Sequence, residues 1–487
     1  MFKCLILNVD CGGLIKRGVG AYRIAHVLRE NNWDAEVIEY ALQWSFDQLK
    51  RLATQRIDSN LKFVGISALF IDQQVEVLDL FLAWLKKEWP HLKIIIGGPG
   101  RYRFDNKNID YNIHGFGEHA MLALLKYLYS NGPVPKFSMY LNSGRNITAN
   151  ETYPAFPMKS LMVKYEDRDF IHPNEWLGVE FARGCKFSCD FCNFPVLGVK
   201  GDYTRDAEDF RIQMQDAYDK FGVTNYYSSD ETFNDRTEKI TKFADVVETL
   251  PFTPYFTGFI RPDLLIGREG DKEELLRMNF LGHFYGIETF FHKSGKAIGK
   301  GMHPDKVKQG LIDVRKFFEG HVNNKFRATI SLIAGLPHEP IESLLTTKQW
   351  LIDNWTEQSF SCYPLQIPLS EFIVKSKMSK DWSAYGYRDA ENDPDMAEYM
   401  ASRSAINFKT SEILIWKNDM MSIKEADDVA RDIENIKNTY NFKHGNYALI
   451  RTGLGSLEER LNFLDNGKSL PSANPEIESY IEKKLGL

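Results

Sequence analysis

The 487-residue chain is short of cysteine, of long apolar runs and of any large excess of one charge, and each scarcity removes a class of protein. Six cysteines in a chain of this length are too few for a disulfide framework, and a chain this long buries its own core without covalent staples. No apolar run approaches the ~18 residues of a spanning helix. The opening MFKCLILNVD is too short for the apolar region of a signal peptide and reads as a first strand. The expected location is therefore cytoplasmic, with no membrane partner. A net charge of −6, with 26% charged residues, gives no general attraction to nucleic-acid phosphates, so nucleic acid is not indicated. The sequons at Asn146 and Asn150 mean nothing without secretion. What remains, at 43% hydrophobic, suits two or three soluble globular domains.

Against that scarcity, three of the six cysteines fall within eight positions, Cys185, Cys189 and Cys192 in ARGCKFSCDFCNF. Thiolates at this spacing can converge on one soft metal centre. A ferredoxin-type cluster takes four cysteines, one for each iron, so a cluster held by three leaves one iron open to a small molecule. A structural zinc site would want four ligands, usually as two separated pairs, whereas Cys4, Cys11 and Cys362 are isolated. The vacancy suggests chemistry at the metal beyond electron storage.

The run resembles the hallmark of the radical S-adenosylmethionine (SAM) enzymes, Cys-x3-Cys-x-aromatic-Cys, with Phe191 as the aromatic. The resemblance implies that Cys185, Cys189 and Cys192 are the catalytic ligands of a [4Fe–4S] cluster whose open iron chelates the amino and carboxylate groups of SAM. An electron from the cluster would split the sulfonium to give a 5′-deoxyadenosyl radical. It also implies an electron-donor partner such as flavodoxin or ferredoxin.

Residues 1–135 alternate strand patterns, at 3–9, 35–40, 63–68, 93–98 and 111–115, with helical periodicity at 20–31 and 73–89. That alternation predicts a doubly wound, Rossmann-like parallel sheet with ligands beyond the carboxyl ends of the strands. The loops there resemble the cobalamin-binding domain that precedes many radical SAM barrels: Ser67 and Leu69 as its Ser-x-Leu, Gly97 and Gly98 as its paired glycine, and Gly115, Gly117 and Glu118 in its Gly-x-Gly-Glu turn. Paired glycines suit a flat macrocycle that must approach the backbone closely. One departure is Gly12, which stands where many relatives supply a histidine to cobalt, so cobalamin, if held, has no protein histidine below the metal. Cys11 reads as a small buried thiol.

Five prolines, Pro133, Pro135, Pro154, Pro157 and Pro173, stand among polar residues and mark a linker assigned to 136–175. Six strand patterns follow at 176–182, 225–229, 255–261, 283–288, 327–335 and 359–367, separated by helical stretches, and predict a partial (β/α)6 barrel over 176–387. In parallel barrels functional residues gather at the carboxyl ends of strands. By resemblance Asp230 contacts the amino group of SAM, Arg261 its carboxylate and Glu288 its ribose hydroxyls, while the backbone around Ile333 and Gly335 lies along the adenine. His338 stands where relatives often have glycine, and Pro368-Leu369-Ser370 replaces their Pro-Gly-Thr turn. Cys362 reads either as a cavity thiol or as a buried strand cysteine. His114, His119 and His283 read as ordinary core or surface residues.

Beyond a polar boundary, 388–487 shows helical periodicity and predicts a small helical domain, either capping the barrel mouth or packing against the barrel. The expected activity is cobalamin-dependent methylation of an unactivated carbon in an unidentified substrate. A cobalamin-free radical rearrangement, cyclisation or dehydrogenation is the first alternative, and a non-catalytic, metal-stabilised binding module the second.

Overall fold

The computed structural model describes residues 1–9, 16–68, 75–98, 106–137, 145–148, 161–192, 203–369, 376–404, 413–451, 455–466 and 474–487. Cys11, Gly12 and Leu69 lie outside them.

The strands in chain order begin with β1 (Phe2–Val9), β2 (Lys16–Arg17), β3 (Trp33–Ile38), β4 (Leu61–Ala68), β5 (Lys93–Gly97), β6 (Tyr111–His114) and β7 (Arg145–Thr148). The first sheet has the order β3-β1-β4-β5-β6-β7, parallel throughout. Its central strands, such as CLILNV in β1 and IIIG in β5, are apolar runs because helices cover both faces. Ala21, Ala25 and Leu28 of helix Val19–Glu30 and Leu124 of helix Glu118–Tyr129 pack with Cys4 and Ile6 on one side. On the other, Leu49, Leu52, Leu78 and Phe81 pack with Leu5 and Leu7. The edge strand β7 comes from the segment expected to be linker; the prolines around it obscured a strand of only four residues.

The remaining strands are β8 (Trp176–Val179), β9 (Ala182–Arg183), β10 (Tyr203–Thr204), β11 (Asn225–Ser228), β12 (Tyr255–Ile260), β13 (Phe280–Glu288), β14 (Arg327–Ala334) and β15 (Ser359–Pro364), with a last short pair beyond them. All six expected barrel strands form, in the order β15-β14-β13-β12-β11-β8 and parallel, with β9 and β10 turned aside as a separate antiparallel pair. A seventh strand was not expected. Strand β2, from the first domain, pairs in parallel with β8 and extends the half-barrel. Arg17 fixes it there: the guanidinium is fully buried, donates to Glu175 at 2.8 Å and lies 4.7 Å from the Tyr480 ring.

Between the second sheet and its helices lies an aromatic layer in which the Phe181 ring meets those of Phe210, Phe233, Phe243 and Phe256 at centroid distances of 5.0, 4.7, 4.9 and 5.6 Å. The opposite, concave face carries Phe259 and Phe284, in register on β12 and β13. At the amino ends of the strands, Asn446 donates to Thr257 at 2.8 Å and accepts from Thr329 at 2.7 Å. A Cβ on Gly445 would stand 2.1 Å from Thr329 Oγ1, so only glycine lets the chain come so close. The segment around Gly445 and Asn446 thus lies at the amino ends of the strands, Trp416 packs on Gly335 beyond the carboxyl end of β14, and the last helix returns to the first domain, where Lys484 pairs with Glu36 at 3.0 Å. Periodicity marks helices at 396–406, 423–440 and 457–464, but neither Asn446–Arg451 nor the last helix Asn474–Leu485.

Candidate active site

After β8 the chain turns through β9 into the cysteine loop. Gly184 has φ +94°, in the left-handed region that favours glycine, and Cys185 follows it directly. Among the described residues none of the three cysteines is in a disulfide, and all are partly exposed. The Cys185 thiol lies 3.6 Å from the Thr232 hydroxyl, and Arg261 Nη1 donates to Cys189 Sγ at 3.6 Å. The Cys192 amide donates to the Cys189 carbonyl at 3.0 Å, closing a tight turn around Phe191, which packs against the core. Among the described residues no group of three His, Cys, Asp or Glu side chains forms a preassembled ion cage, so the thiols share a loop without already converging.

The loop is held from outside through Asp190. Its amide donates to the Ile298 carbonyl at 3.2 Å, and its carbonyl accepts from Met378 at 2.9 Å. Its carboxylate accepts from Lys377 at 2.8 Å and from the Tyr385 hydroxyl at 2.7 Å. Burial opposes ionisation of Asp190, yet these two donors hold its carboxyl below the ordinary range.

The nominated strand-end residues separate into two groups. Arg261 and Glu288 come together with the loop. Arg261 stacks 3.8 Å from the Phe187 ring centroid, donates from Nε to Asp263 at 2.8 Å, and also acts electrostatically on Glu288. Glu288 is buried at φ +67°; burial raises its carboxyl, against the pull of Lys300 at 3.5 Å. Lys300 also donates to the Gly286 carbonyl at 2.7 Å. It was not anticipated, because it lies in the loop Gly299-Lys300-Gly301, outside any strand end, with only its flanking glycines as a signal.

Asp230 is engaged on another side, although Thr232, two residues on, lies beside Cys185. Asp230 is buried, accepts from the Phe181 amide at 2.8 Å and stands 3.9 Å from Lys239, so it ties the end of β8 to a helix, and burial pushes its carboxyl up to about 7. Glu231, the next residue, was missed. Burial and then the Asp230 charge push it up to about 8, the Gly184 amide pulls the other way, and Oε2 has no hydrogen-bond partner. The only sequence cue was its place in the acidic pair Asp230-Glu231.

Ile333 is half-buried on β14. Gly335 has φ +92°, and a Cβ there would meet Trp416 at 2.3 Å, so packing of the carboxyl-terminal region demands glycine independently of any ligand. His338 adopts φ +67°, the conformation glycine would take at that turn. Cys362 is buried with its thiol pushed up by burial, as the strand-cysteine reading expects. His283 is a satisfied core histidine, bonded to Tyr285 at 2.6 Å and to the Phe280 carbonyl at 2.8 Å.

In the first sheet Ser67 and Gly97 pair in register at the carboxyl ends of β4 and β5. Gly98 follows at φ +97°, where a Cβ would press to 2.3 Å from the Ala68 carbonyl oxygen. Gly115, at φ +86°, and Gly117 form the turn into the helix Glu118–Tyr129. Glu118 is buried against Arg183 at 2.7 Å; burial alone would raise its carboxyl, but Arg183 and Arg23 hold it below the ordinary value.

No family model matches the sequence, and no curated protein does. Solved structures do match. The radical SAM methyltransferase TsrM from Kitasatospora setae, with cobalamin and a [4Fe–4S] cluster bound, superposes with a TM-score of 0.68 at 11% identity, covering 96% of this chain and 100% of that one. The fold is that of the cobalamin-dependent radical SAM enzymes. TsrM with tryptophan substrate and the SAM analogue aza-SAM gives a TM-score of 0.64 at 11% identity over 96% of this chain and 99% of its own. The cobalamin-dependent SAM radical enzyme OxsB, with aqua-cobalamin and SAM bound, gives 0.58 at 14% identity, over 100% of this chain and 71% of its own. Among the described residues no helix is long and apolar enough to cross a membrane.

Proposed function

We propose that this chain is a radical SAM enzyme and, more narrowly, a cobalamin-dependent methyltransferase that acts on an unactivated carbon. The observation that carries the reading is the meeting of Arg261, Glu288 and Lys300 with Cys189 at the carboxyl edge of a parallel half-barrel. The donor set fits an iron–sulfur cluster: three soft thiols in one partly exposed loop, with an Arg261 N–H directed at one sulfur and the Thr232 hydroxyl beside another. The glycine-rich carboxyl edge of the first sheet is compatible with a flat ligand, although Gly98 is already required there by the approach of its backbone to Ala68.

When bound, the cluster supplies the electron that splits SAM, and cobalamin supplies the methyl group. The chain's own work is positioning. Arg261 offers a guanidinium to the SAM carboxylate, which it can grip through two parallel hydrogen bonds. Among the described residues Asp230 Oδ2 and Glu231 Oε2 are both buried without a hydrogen-bond partner, so the acidic pair as a whole is the candidate acceptor for the SAM amino group. Glu288, buried and 3.5 Å from Lys300, is our candidate acceptor for the ribose hydroxyls.

The test is anaerobic purification followed by iron, sulfide and corrin analysis, with 5′-deoxyadenosine measured after adding SAM and a reductant. The expected result is all three components bound and 5′-deoxyadenosine formed, with product lost in Cys185→Ala. Deoxyadenosine formation without bound corrin would remove the methyltransferase reading and keep the radical one. Zinc in place of iron and sulfide would overturn both.

A further inference from the structure

Glu118 belongs to the first domain, directly after the Gly115–Gly117 turn that faces the expected cobalamin crevice, yet its carboxylate reaches the barrel. Arg183 Nη2 stands 2.7 Å from Glu118 Oε1. The same guanidinium forks onto Glu180, from Nε at 2.8 Å and from Nη2 at 3.0 Å, and lies 4.4 Å from the ring of Phe116, the middle residue of that turn. Arg23 reaches the same Glu118 oxygen at 3.4 Å. Glu118, Arg183 and Glu180 are 2%, 6% and 9% exposed. Two residues beyond Arg183 is Cys185, with Gly184 at φ +94° between them.

An acidic residue in the first turn of a helix is often explained by the helix dipole alone. Here the carboxylate also accepts a buried guanidinium from another domain, and that guanidinium is carried on the strand leading into the cysteine loop. Exposed ion pairs fix little, but a buried fork held by two carboxylates restricts the backbone that bears it.

We propose that Glu118 is a positioning residue for the cysteine loop: through Arg183, the first domain holds the segment that presents Cys185. The proposal rests on the reading of 185–192 as the cluster loop and adds a coupling between domains. A ligand that shifts the Gly115–Gly117 turn shifts Arg183, and by linkage whatever binds at the cysteines acts back on that turn.

Hydrogen exchange on the full chain tests it, in wild type, Glu118→Gln, Arg183→Gln and the double variant. Glu118→Gln is expected to speed amide exchange in 184–192 at least about tenfold while leaving β1 unchanged, because Arg183 then keeps only Glu180 and loses its charged anchor on the first domain. The double variant is expected to exchange no faster than the worse single one, since both substitutions remove the same Glu118–Arg183 contact. In the iron- and sulfide-reconstituted protein, the paramagnetic resonance signal of the reduced cluster with SAM is expected to differ from wild type at equal iron content. Unchanged exchange in 184–192, or faster exchange confined to 111–129, would overturn the proposal. Should Arg183→Gln fail to fold, Glu118→Gln decides alone. If reconstitution yields zinc, the cluster reading falls while the exchange result still decides the clamp.

Discussion

At the carboxyl edge of the first sheet the described residues are Ser67, Gly97, Gly98, Gly115 and Gly117; at the matching edge of the second stand Cys185, Glu231, Arg261 and Glu288. Both sheets are parallel, and both point strand ends at a crevice. Glycine crowds one edge, beside the buried Asn8–Glu39 pair at the ends of β1 and β3, while charge and thiols crowd the other. Under the proposed function, the difference follows from what each edge would hold. A large flat ligand is gripped by close approach, where any Cβ intrudes, whereas a small zwitterion is gripped by directed, charge-assisted hydrogen bonds.

The largest effect that would break this contrast lies on the charged edge. Arg261→Ala is expected to weaken SAM binding to the reconstituted protein about 10- to 100-fold, the loss of a charge-assisted hydrogen bond of about 1.5–3 kcal/mol. Arg261→Lys is expected to recover only part, because an ammonium cannot form the parallel fork. Equilibrium binding of SAM measures both, and undiminished affinity in Arg261→Ala would mean that the edge is charged for structural reasons only.

A smaller effect sharpens the other side. Gly98→Ala forces a Cβ to 2.3 Å from the Ala68 carbonyl oxygen at φ +97°, and is expected to cost about 1–3 kcal/mol in urea unfolding, with loss of corrin binding. Gly301→Ala, on the barrel side, meets nothing within 4 Å and is expected to be nearly neutral. Equal costs for the two substitutions would remove the claim that the first edge depends on bare backbone.

Much of this was legible in the sequence, unevenly. Buried parallel strands write themselves as apolar runs, so all six barrel strands and five strands of the first sheet could be read; β2 and β7, of two and four residues, are too short for a period to show. Arg261 was legible because it ends a strand. Lys300 and Glu231 were not, since their place depends on how loops fold back over the strand ends. Glu118 was assigned to a cofactor by resemblance, and its contact with Arg183 joins residues far apart in sequence, which no local pattern encodes.

A last test asks whether the charged edge titrates while the glycine edge does not. Glu339 follows β14 and is fully buried; it accepts from the Thr289 hydroxyl at 2.6 Å, and its Oε2 has no hydrogen-bond partner. Burial pushes its carboxyl from 4.5 up to about 8, with Thr289 and Ser343 pulling the other way. A raised carboxyl means that the folded state binds the proton more tightly than the unfolded one, so this contribution to stability is complete below pH 4.5 and is lost as pH rises toward about 8. Glu339→Gln keeps the shape and removes the titration. Its stability relative to wild type, from urea unfolding at a series of pH values, is therefore expected to improve steadily across that window and to level off above it. A flat difference would mean that Glu339 is already ionised in the folded protein, and that burial at the barrel edge is less complete than its surroundings imply.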